Sequence, residues 1–158
     1  MTATVTSQAT AYSDHMPEHA FTERSIEEMD RDECLRLISP GGVGRIGYIS
    51  GGGPAIRPVN FRLVDGTILF RTVEHGGLDE DLRTGIADAE YRVAFEVDDL
   101  DPAQEQGWSV LVQGPAHHLS DAERGELSDT VITWAGGDRE MFVRITPASI
   151  TGRRVRRA

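Results

Sequence analysis

Residues 43–72 read VGRIGYISGGGPAIRPVNFRLVDGTILFRT, and this stretch decides the fold. Apolar and polar residues alternate in three segments of it, which is the period of a β-strand. Turn sequences separate the segments, first GGGP at 51–54 and then Asp65-Gly66. The pattern therefore predicts three consecutive antiparallel strands, at 43–49, 55–64 and 67–72.

The same stretch overlaps a motif that is typical of a different fold. Residues 42–47 read GVGRIG, a match to the G-x-G-x-x-G fingerprint of dinucleotide-binding proteins. That fingerprint has to follow a strand and open a helix, so that the helix N-terminus meets the pyrophosphate. Here a predicted helix precedes the motif and a predicted strand coincides with it. The glycines therefore belong to the scaffold, and the motif does not indicate a Rossmann unit.

The rest of the chain continues the antiparallel pattern. A helix is expected at 30–39, where Asp30 can cap the first turn and Cys34 and Ile38 belong to an apolar face that suits core packing. Further strands are predicted at 91–97, 108–119 and 141–145, short helices at 76–83 and 121–127, and an extension of the sheet at 149–155. The acidic run 98–102 is interpreted as a solvated turn rather than a cation site. Five or six strands joined by hairpins predict an antiparallel barrel or half-open sheet.

One folded domain is predicted. Residues 1–24 are rich in Thr, Ala and Ser without an apolar period, so we interpret them as a flexible N-terminal arm and 25–158 as the domain. His15 and His19 in the arm are four residues apart, but Pro17 between them argues against a helical metal site. The basic end of the chain, from residue 153 on, is interpreted as a solvated tail, with a contact to a phosphate or a partner as the alternative.

Composition excludes several classes of protein. The net charge of −10 argues against a general binder of nucleic acid or anionic membranes. All 16 basic residues are arginine, so the chain cannot form a Schiff base with pyridoxal phosphate or supply a P-loop lysine. The single cysteine, Cys34, excludes a disulfide within the chain. No secretory signal or transmembrane run is found, so we expect a cytoplasmic protein with neither nucleic acid nor membrane as partner.

Two arginines and a glycine-rich turn form a candidate phosphate site. Arg57 and Arg71 lie on strands that a two-residue turn folds together, and two guanidinium groups suit the binding of one anion. Thr72 adds a hydroxyl, and Gly76 and Gly77 present backbone N–H groups at a predicted helix start. The alternative is that both arginines only pair with the many carboxylates of the chain.

Further polar and aromatic residues are candidates for a ligand site. Asn60 lies in an apolar strand, where it needs a partner from the backbone or from the edge of a planar ligand. Trp108 and Trp134 offer flat apolar walls, although core packing is the more common role of tryptophan. His117 and His118 are adjacent on a strand, so they face opposite sides and cannot share one metal in regular geometry.

Four short motifs follow one another in a recognisable order. They are PVNF at 58–61, FRT at 70–72, EVDD at 96–99 and GWSVLVQG at 107–114. Together they resemble the pyridoxamine 5′-phosphate oxidase-like flavin-binding split-barrel proteins, and the resemblance extends over 27–155. It implies a mainly β fold with short helices, a six-stranded antiparallel split β-barrel. It also implies a homodimer with two flavin sites at the subunit interface.

The resemblance further assigns the cofactor site. It implies that the strand from Arg57 lies along the isoalloxazine ring and that the segment ending at Thr72, with the glycine turn after it, holds ribityl and phosphate. The strand from Trp108 is expected near the ring or the subunit interface. The cofactor-binding residues predicted in this way are Arg57, Pro58, Val59, Asn60, Phe70, Arg71, Thr72, Gly76, Gly77, Leu78, Trp108 and Ser109. No metal ligand is predicted, and no catalytic side chain can be assigned.

Gly77 departs from the family pattern, because relatives carry a lysine there that meets the phosphate. Arg57, Arg71 and backbone donors would compensate for its loss. The resemblance implies FMN as the cofactor, with the deazaflavin coenzyme, haem or no ligand as alternatives. The sequence thus predicts a flavin-dependent oxidoreductase that reduces or oxidises an unidentified small molecule. The alternatives are a non-catalytic flavin, deazaflavin or haem binding or sensing module with a degenerate phosphate site, and a purely structural dimer.

Overall fold

The structure is a computed structural model that describes residues 24–83, 91–125, 127, 131, 133–134 and 139–157. These residues contain the strands β1 (Arg24–Met29), β2 (Gly42–Ser50), β3 (Gly53–Val64), β4 (Thr67–Thr72), β5 (Tyr91–Asp101), β6 (Gln106–His118), β7 (Met141–Ile145) and β8 (Ser149–Arg157). The helices are α1 (Arg31–Ile38), α2 (Gly77–Asp81) and α3 (Asp121–Arg124). None of these helices is long and apolar enough to cross a membrane. His15 and His19 lie outside the described residues.

Six of the strands close into an antiparallel barrel. The order around it is β6-β5-β2-β3-β4-β7, and β7 pairs again with β6. The closure is seen in the register, where Ala116 of β6 lies opposite Ile145 of β7. Closure removes the unpaired edges that an open six-stranded sheet would expose. The predicted antiparallel split-barrel fold is confirmed.

Two strands continue the sheet outside the barrel. β8 pairs with the first half of β6, and β1 pairs with the outer edge of β8. The described residues of the basic end thus form a strand, and the prediction of a solvated tail is wrong for them. Arg154 Nη1 lies 2.7 Å from Glu33 Oε1, and Arg156 Nε lies 3.6 Å from Glu27 Oε2. The sequence analysis missed β1 because its sequence, RSIEEM, lacks a clear alternation. Acidic groups on β1 and α1 pair with the basic β8.

Element boundaries differ from the prediction mainly in acidic segments. The Asp65-Gly66 turn forms as expected, with positive φ of 49° and 74°. By contrast, the predicted turn at 98–101 is wrong, because β5 continues through it and Asp101 lies opposite Gln106. α2 and α3 are shorter than predicted, at five and four residues. The β5–β6 hairpin is therefore long, and its acidic residues lie on a strand.

Two hydrophobic clusters lie on the two sides of the barrel wall. The larger cluster fills the barrel, and in it the rings of Phe61 and Phe95 meet edge to face with their centroids 5.1 Å apart. The smaller cluster covers β4 and β7 from outside and consists of Leu69, Leu119, Val131 and Phe142. A residue of β4 or β7 can therefore be buried whether its side chain points into the barrel or away from it.

α1 packs on the core with the face that the sequence predicts. Asp30 caps the helix by accepting a hydrogen bond from the Glu33 N–H at 2.8 Å. Cys34 and Ile38 are buried, and burial raises the pKa of the Cys34 thiol, as is typical of a core cysteine. A β-carbon on Gly152 of β8 would overlap Cys34 Sγ. α1 thus approaches β8 as closely as a glycine permits.

Candidate functional site

Strand pairing divides the predicted cofactor-binding residues between two faces of the barrel wall. Phe61 of β3 lies opposite Phe70 of β4, and both belong to the core inside the barrel. Because side chains alternate along a strand, odd-numbered residues of β3 and even-numbered residues of β4 face inward. The inner face thus includes Arg57, Val59, Phe70 and Thr72, and the outer face includes Pro58, Asn60 and Arg71.

Arg57 and Thr72 share the inner face. The Arg57 Nε donates to Tyr48 Oη over 2.8 Å, and this contact is the main cause that raises the pKa of the guanidinium. The Arg57 side chain is exposed, and no ion pair engages it among the described residues. Thr72 is 6% exposed. The tyrosine fixes the direction of the arginine and leaves both of its Nη groups for a ligand.

Arg71 lies on the opposite face and is used by the protein itself. Its Nε donates to the Arg139 carbonyl at 2.6 Å and its Nη1 to the Val131 carbonyl at 3.4 Å. Its guanidinium stacks 4.8 Å from the centroid of the Phe142 ring. The prediction that Arg57 and Arg71 meet at one anion is wrong within a single chain, because odd-numbered residues of β3 face inward whereas odd-numbered residues of β4 face outward.

The glycine turn before α2 differs from the expected anion cradle. The Gly76 N–H donates to the Val73 carbonyl at 3.1 Å, so it is not available to a ligand. Leu78 is 7% exposed and belongs to the core rather than to a ligand surface. Gly77 is exposed, and a β-carbon there would meet no atom within 4 Å. The open space of the turn is therefore at Gly77, where relatives were expected to carry a lysine.

The remaining predicted residues lie on β3 and β6. Asn60 Oδ1 accepts a hydrogen bond from the Trp134 backbone N–H at 2.9 Å, so the backbone supplies its partner. The Trp134 side chain is 79% exposed and is not a core residue. Trp108 is half-buried and packs against the barrel core. Ser109 faces outward, because the next residue, Val110, is fully buried inside.

The outer face also carries a charged cluster that the sequence analysis missed. Arg45 Nη1 of β2 lies 3.1 Å from Glu96 Oε2 and 3.2 Å from Asp98 Oδ2 of β5. Burial and the Asp98 carboxylate raise the pKa of Glu96, and Arg45 offsets this only in part. The spacing of two between the carboxylates indicates a shared face once 98–101 is recognised as a strand. Ser109 lies opposite Asp98, so the cluster borders a predicted site residue.

The two adjacent histidines face opposite sides, as predicted. His118 Nε2 lies 2.6 Å from Asp79 Oδ1 of α2, on the inner side of the wall. His117 lies opposite Arg144 of β7 and close enough to Glu123 to lower the pKa of that carboxyl, after the larger effect of hydrogen bonds from Ser120. The contact between Asp79 and His118 was not anticipated, because nothing local in the sequence relates α2 to the end of β6.

Together these features define a closed split barrel with a directed cation near one end. The Arg57 Nη groups and the open space at Gly77 fit an anionic group such as a phosphate ester. On the opposite, outer face of the wall, Ile49 and Ile56 line an exposed groove of about 580 Å³. The inner end of the barrel thus offers a cation for an anionic group, and the outer face offers an apolar surface.

Comparison with known proteins identifies the family. A sequence model described as pyridoxamine 5′-phosphate oxidase matches residues 30–154, and the chain belongs to this family. An uncharacterized protein of Mycobacterium tuberculosis is 38% identical over 133 residues, 84% of this chain and 87% of that protein. A solved FAD-binding protein from Mycobacterium smegmatis is 32% identical at a TM-score of 0.63, covering 84% of this chain and 100% of that one. An FAD-binding protein from Mesorhizobium loti, at 20% identity and a TM-score of 0.67, covers 85% and 99% and shows the fold alone.

Proposed function

We propose that the protein is a homodimeric flavin-dependent oxidoreductase that binds FMN at the subunit interface and reduces or oxidises a small molecule. Membership of the family and the FAD-binding relative support a flavin. The observation that carries the proposal is Arg57, an exposed guanidinium that Tyr48 orients through Nε while its Nη groups stay available. A cation held in this way costs little further entropy when it binds a phosphate.

Each group of predicted residues has a part in this proposal. Arg57 and Thr72, with the open turn at Gly77, hold the phosphate, whereas Asn60 and Ser109 lie on the outer face, at the subunit interface proposed below. A bound flavin supplies the hydride and electron transfer, so the chain needs only to bind, orient and shield it. Arg71 supports the wall behind the site by anchoring the segment that covers β4 and β7. Because the flavin supplies the chemistry and the chain supplies binding, the sequence does not need an obvious group of catalytic side chains.

The subunit interface is assigned to the outer face of β2, β3, β5 and β6. Ile49 and Ile56 on this face are 56% and 73% exposed, which is unusual for large apolar side chains unless a partner covers them. The same face carries the Arg45 cluster, and Arg153 of β8 lies on it opposite Ser109. The face thus combines exposed apolar side chains with both acidic and basic groups, which suits pairing with a second copy of itself.

The proposal is tested first by the absorption spectrum of freshly purified protein. Flavins and haem have different visible absorption bands, so one spectrum distinguishes the two families of cofactor. Mass spectrometry of the released cofactor then distinguishes FMN from FAD and from the deazaflavin coenzyme. Colourless protein that shows no thermal shift with FMN, FAD, deazaflavin or haem refutes the proposal.

The second candidate function is a binding or sensing module without catalysis. It is favoured by Gly77, because the phosphate site lacks the lysine that the family pattern provides. Both candidates bind a cofactor, so the discriminating measurement is turnover. Repeated reduction of the bound flavin by NADH or NADPH and its reoxidation by an added acceptor supports the oxidoreductase. Tight binding with a single reduction and no turnover for any acceptor supports the sensing module.

A further inference from the structure

A fully buried carboxylate in α2 has no part in the site proposed above. Asp79 is 0% exposed, and its Oδ2 accepts hydrogen bonds from the His75 backbone N–H at 2.8 Å and from Arg83 Nε and Nη2 at 3.1 and 2.9 Å. Its Oδ1 lies 2.6 Å from His118 Nε2. Neither of these last two atoms makes a hydrogen bond among the described residues, so the ion-pair contact between them is what compensates for the burial of both. A buried charge is tolerated only when it is paired in this way.

Asp79 joins three parts of the chain around the candidate phosphate site. His75 belongs to the turn before α2, and its positive φ of 55° is unfavourable for a residue with a side chain. The hydrogen bond from its N–H to Asp79 holds that turn against the helix. His118 connects the helix to β6, while Leu78 and Leu82 pack into the barrel core beside it. The carboxylate therefore sets the position of α2 and of its preceding turn.

α2 in turn lies close to the arginine that is proposed to bind the phosphate. The Asp81 carboxylate adds to the raised pKa of Arg57, after the larger contribution of Tyr48, so the helix lies within electrostatic reach of that guanidinium. A shift of α2 would change both the surroundings of Arg57 and the open space at Gly77. The geometry of the site thus depends on how α2 is docked on the barrel.

His118 is the group in this contact that changes charge closest to neutral pH. Burial lowers its pKa below the usual value of about 6.5, and Asp79 opposes this only in part, while Arg83 and His117 add to it. The residue opposite on β7 is Val143, which carries no charge. The neutral imidazole is therefore the form that the docked helix favours.

Asp79 keeps its charge over the range in which His118 titrates. Burial alone would raise the pKa of Asp79, but the hydrogen bonds from Arg83 and the His75 N–H outweigh burial and hold that pKa below its usual range. Stability from Asp79 is therefore lost only in strong acid. Among the side chains in contact with Asp79, His118 is therefore the one that changes charge just below neutral pH.

We propose that Asp79 and His118 form a pH-sensitive clasp that positions α2 and the turn before it for the anionic group of the ligand. Both are positioning residues, and the ligand part of the proposal rests on the flavin function proposed above. As the pH falls through about 6.5, His118 is protonated more readily when α2 is undocked than when it is docked. Docking of α2 therefore weakens. Between pH 7.5 and 5.5 the undocking equilibrium rises, by at most roughly tenfold for one histidine with an undocked pKa of about 6.5.

Hydrogen–deuterium exchange of the full chain tests the clasp. Protection factors for residues 75–83, corrected for intrinsic exchange, are compared at pH 7.5 and 5.5. We expect the wild type to lose protection by up to roughly tenfold, and His118→Gln to keep it, because the glutamine amide donates to Asp79 without titrating. His117→Gln is the matched control, an imidazole removed from the other face of the same strand, and it follows the wild type. Equal protection of the wild type at both pH values overturns the clasp, even if His118→Gln does not fold.

FMN titration, followed by quenching of flavin fluorescence, tests the positioning role. The phosphate of FMN takes up a proton near pH 6 itself, so the comparison is between proteins at one pH. At pH 5.5 we expect His118→Gln to bind FMN severalfold more tightly than the wild type and His117→Gln do, and at pH 7.5 all three to agree. Equal affinities at pH 5.5 overturn the positioning role. No FMN binding by the wild type at either pH rules out FMN as the cofactor instead, and the exchange experiment still decides the clasp.

Discussion

Gly44 of β2 lies against the ring of Phe95 on β5, so closely that a β-carbon at Gly44 would overlap the ring and lie 3.1 Å from the Glu96 carbonyl oxygen. Gly47 faces the other side of the wall, where a β-carbon would lie 3.7 Å from Ala94 Cβ, an ordinary contact distance. Gly44 and Gly47, both in the dinucleotide-like motif, thus have different structural roles. Packing inside the barrel requires Gly44 and does not require Gly47.

Alanine substitutions at these two glycines should therefore have unequal effects. We expect Gly44→Ala to lower the free energy of unfolding by about 1–3 kcal/mol, because the added carbon displaces Phe95 in a filled core. We expect Gly47→Ala to change it by less than about 0.5 kcal/mol. Urea denaturation of both variants checks this, and equal losses would show that the motif has some role other than packing.

Arg57→Ala tests the contact that carries the proposed function. We expect it to weaken FMN binding by roughly 10- to 100-fold, because hydrogen bonds to a charged group contribute about 1.5–3 kcal/mol. The melting temperature should hardly change, because Arg57 is exposed. FMN titration and thermal denaturation of the same preparation measure the two effects. Unchanged affinity would remove Arg57 from the site.

Arg71→Ala is the matched arginine substitution on the opposite face. It leaves the carbonyls of Arg139 and Val131 without their donor and removes the cation over Phe142, so we expect a loss of about 1–3 kcal/mol in stability. For a chain of this length that lowers the melting temperature by about 2–4 °C per kcal/mol. FMN affinity should fall much less than in Arg57→Ala. A normal melting temperature with lost FMN binding would instead support the original assignment of Arg71 to the phosphate.

Gly77→Lys examines the departure from the family pattern. The position is open and its φ is not in the left-handed region, so the fold should accept the side chain. We expect FMN to bind roughly fivefold more tightly, about 1 kcal/mol for one partly exposed charge contact, with Gly77→Ala as the uncharged control. An unchanged affinity for FMN alongside binding of another ligand would indicate a pocket remodelled for that ligand.

Ile56→Arg probes the proposed subunit interface. A charged side chain in the middle of an apolar interface is left without a partner, so we expect the dimer to dissociate. Ile26→Arg is the control, since Ile26 is equally apolar and 70% exposed but lies on the edge strand β1. Light scattering after size-exclusion chromatography gives the mass of each species. A wild type that is monomeric at all concentrations, or an Ile56→Arg dimer, would rule out this face.

Local signals were sufficient to predict the barrel, and long-range pairing accounts for the errors. The Asp65-Gly66 turn was predictable because its two residues tolerate positive φ. The strand character of 98–101 was not, because aspartate is depleted in strands and only the pairing with 106–109 keeps it there. β1 was missed for a similar reason, since its stability comes from the basic strand beside it.

The site could be predicted only in part. It depends on which face of its strand each residue occupies and on contacts between strands that are distant in the sequence. A two-residue turn at 65–66 already sets Phe61 opposite Phe70, and counting onward shows that Arg57 and Arg71 face opposite ways. That error could have been avoided from the sequence. The partners Tyr48 of Arg57 and His118 of Asp79 lie on other strands, and their contacts depend on how the barrel closes.

β6 pairs on one side with a different strand in each half of its length, and this affects how the protein unfolds. Residues up to Gln113 pair with β8, and residues from Ala116 onward pair with β7. Gly114 lies at the changeover, where a β-carbon would overlap the Thr146 carbonyl. If β8 unfolded alone, the first half of β6 would lose its partner on that side, and β6 is also the strand that closes the barrel. The barrel and the two strands outside it should therefore melt together, and calorimetry should record a single cooperative transition despite the two separate hydrophobic clusters.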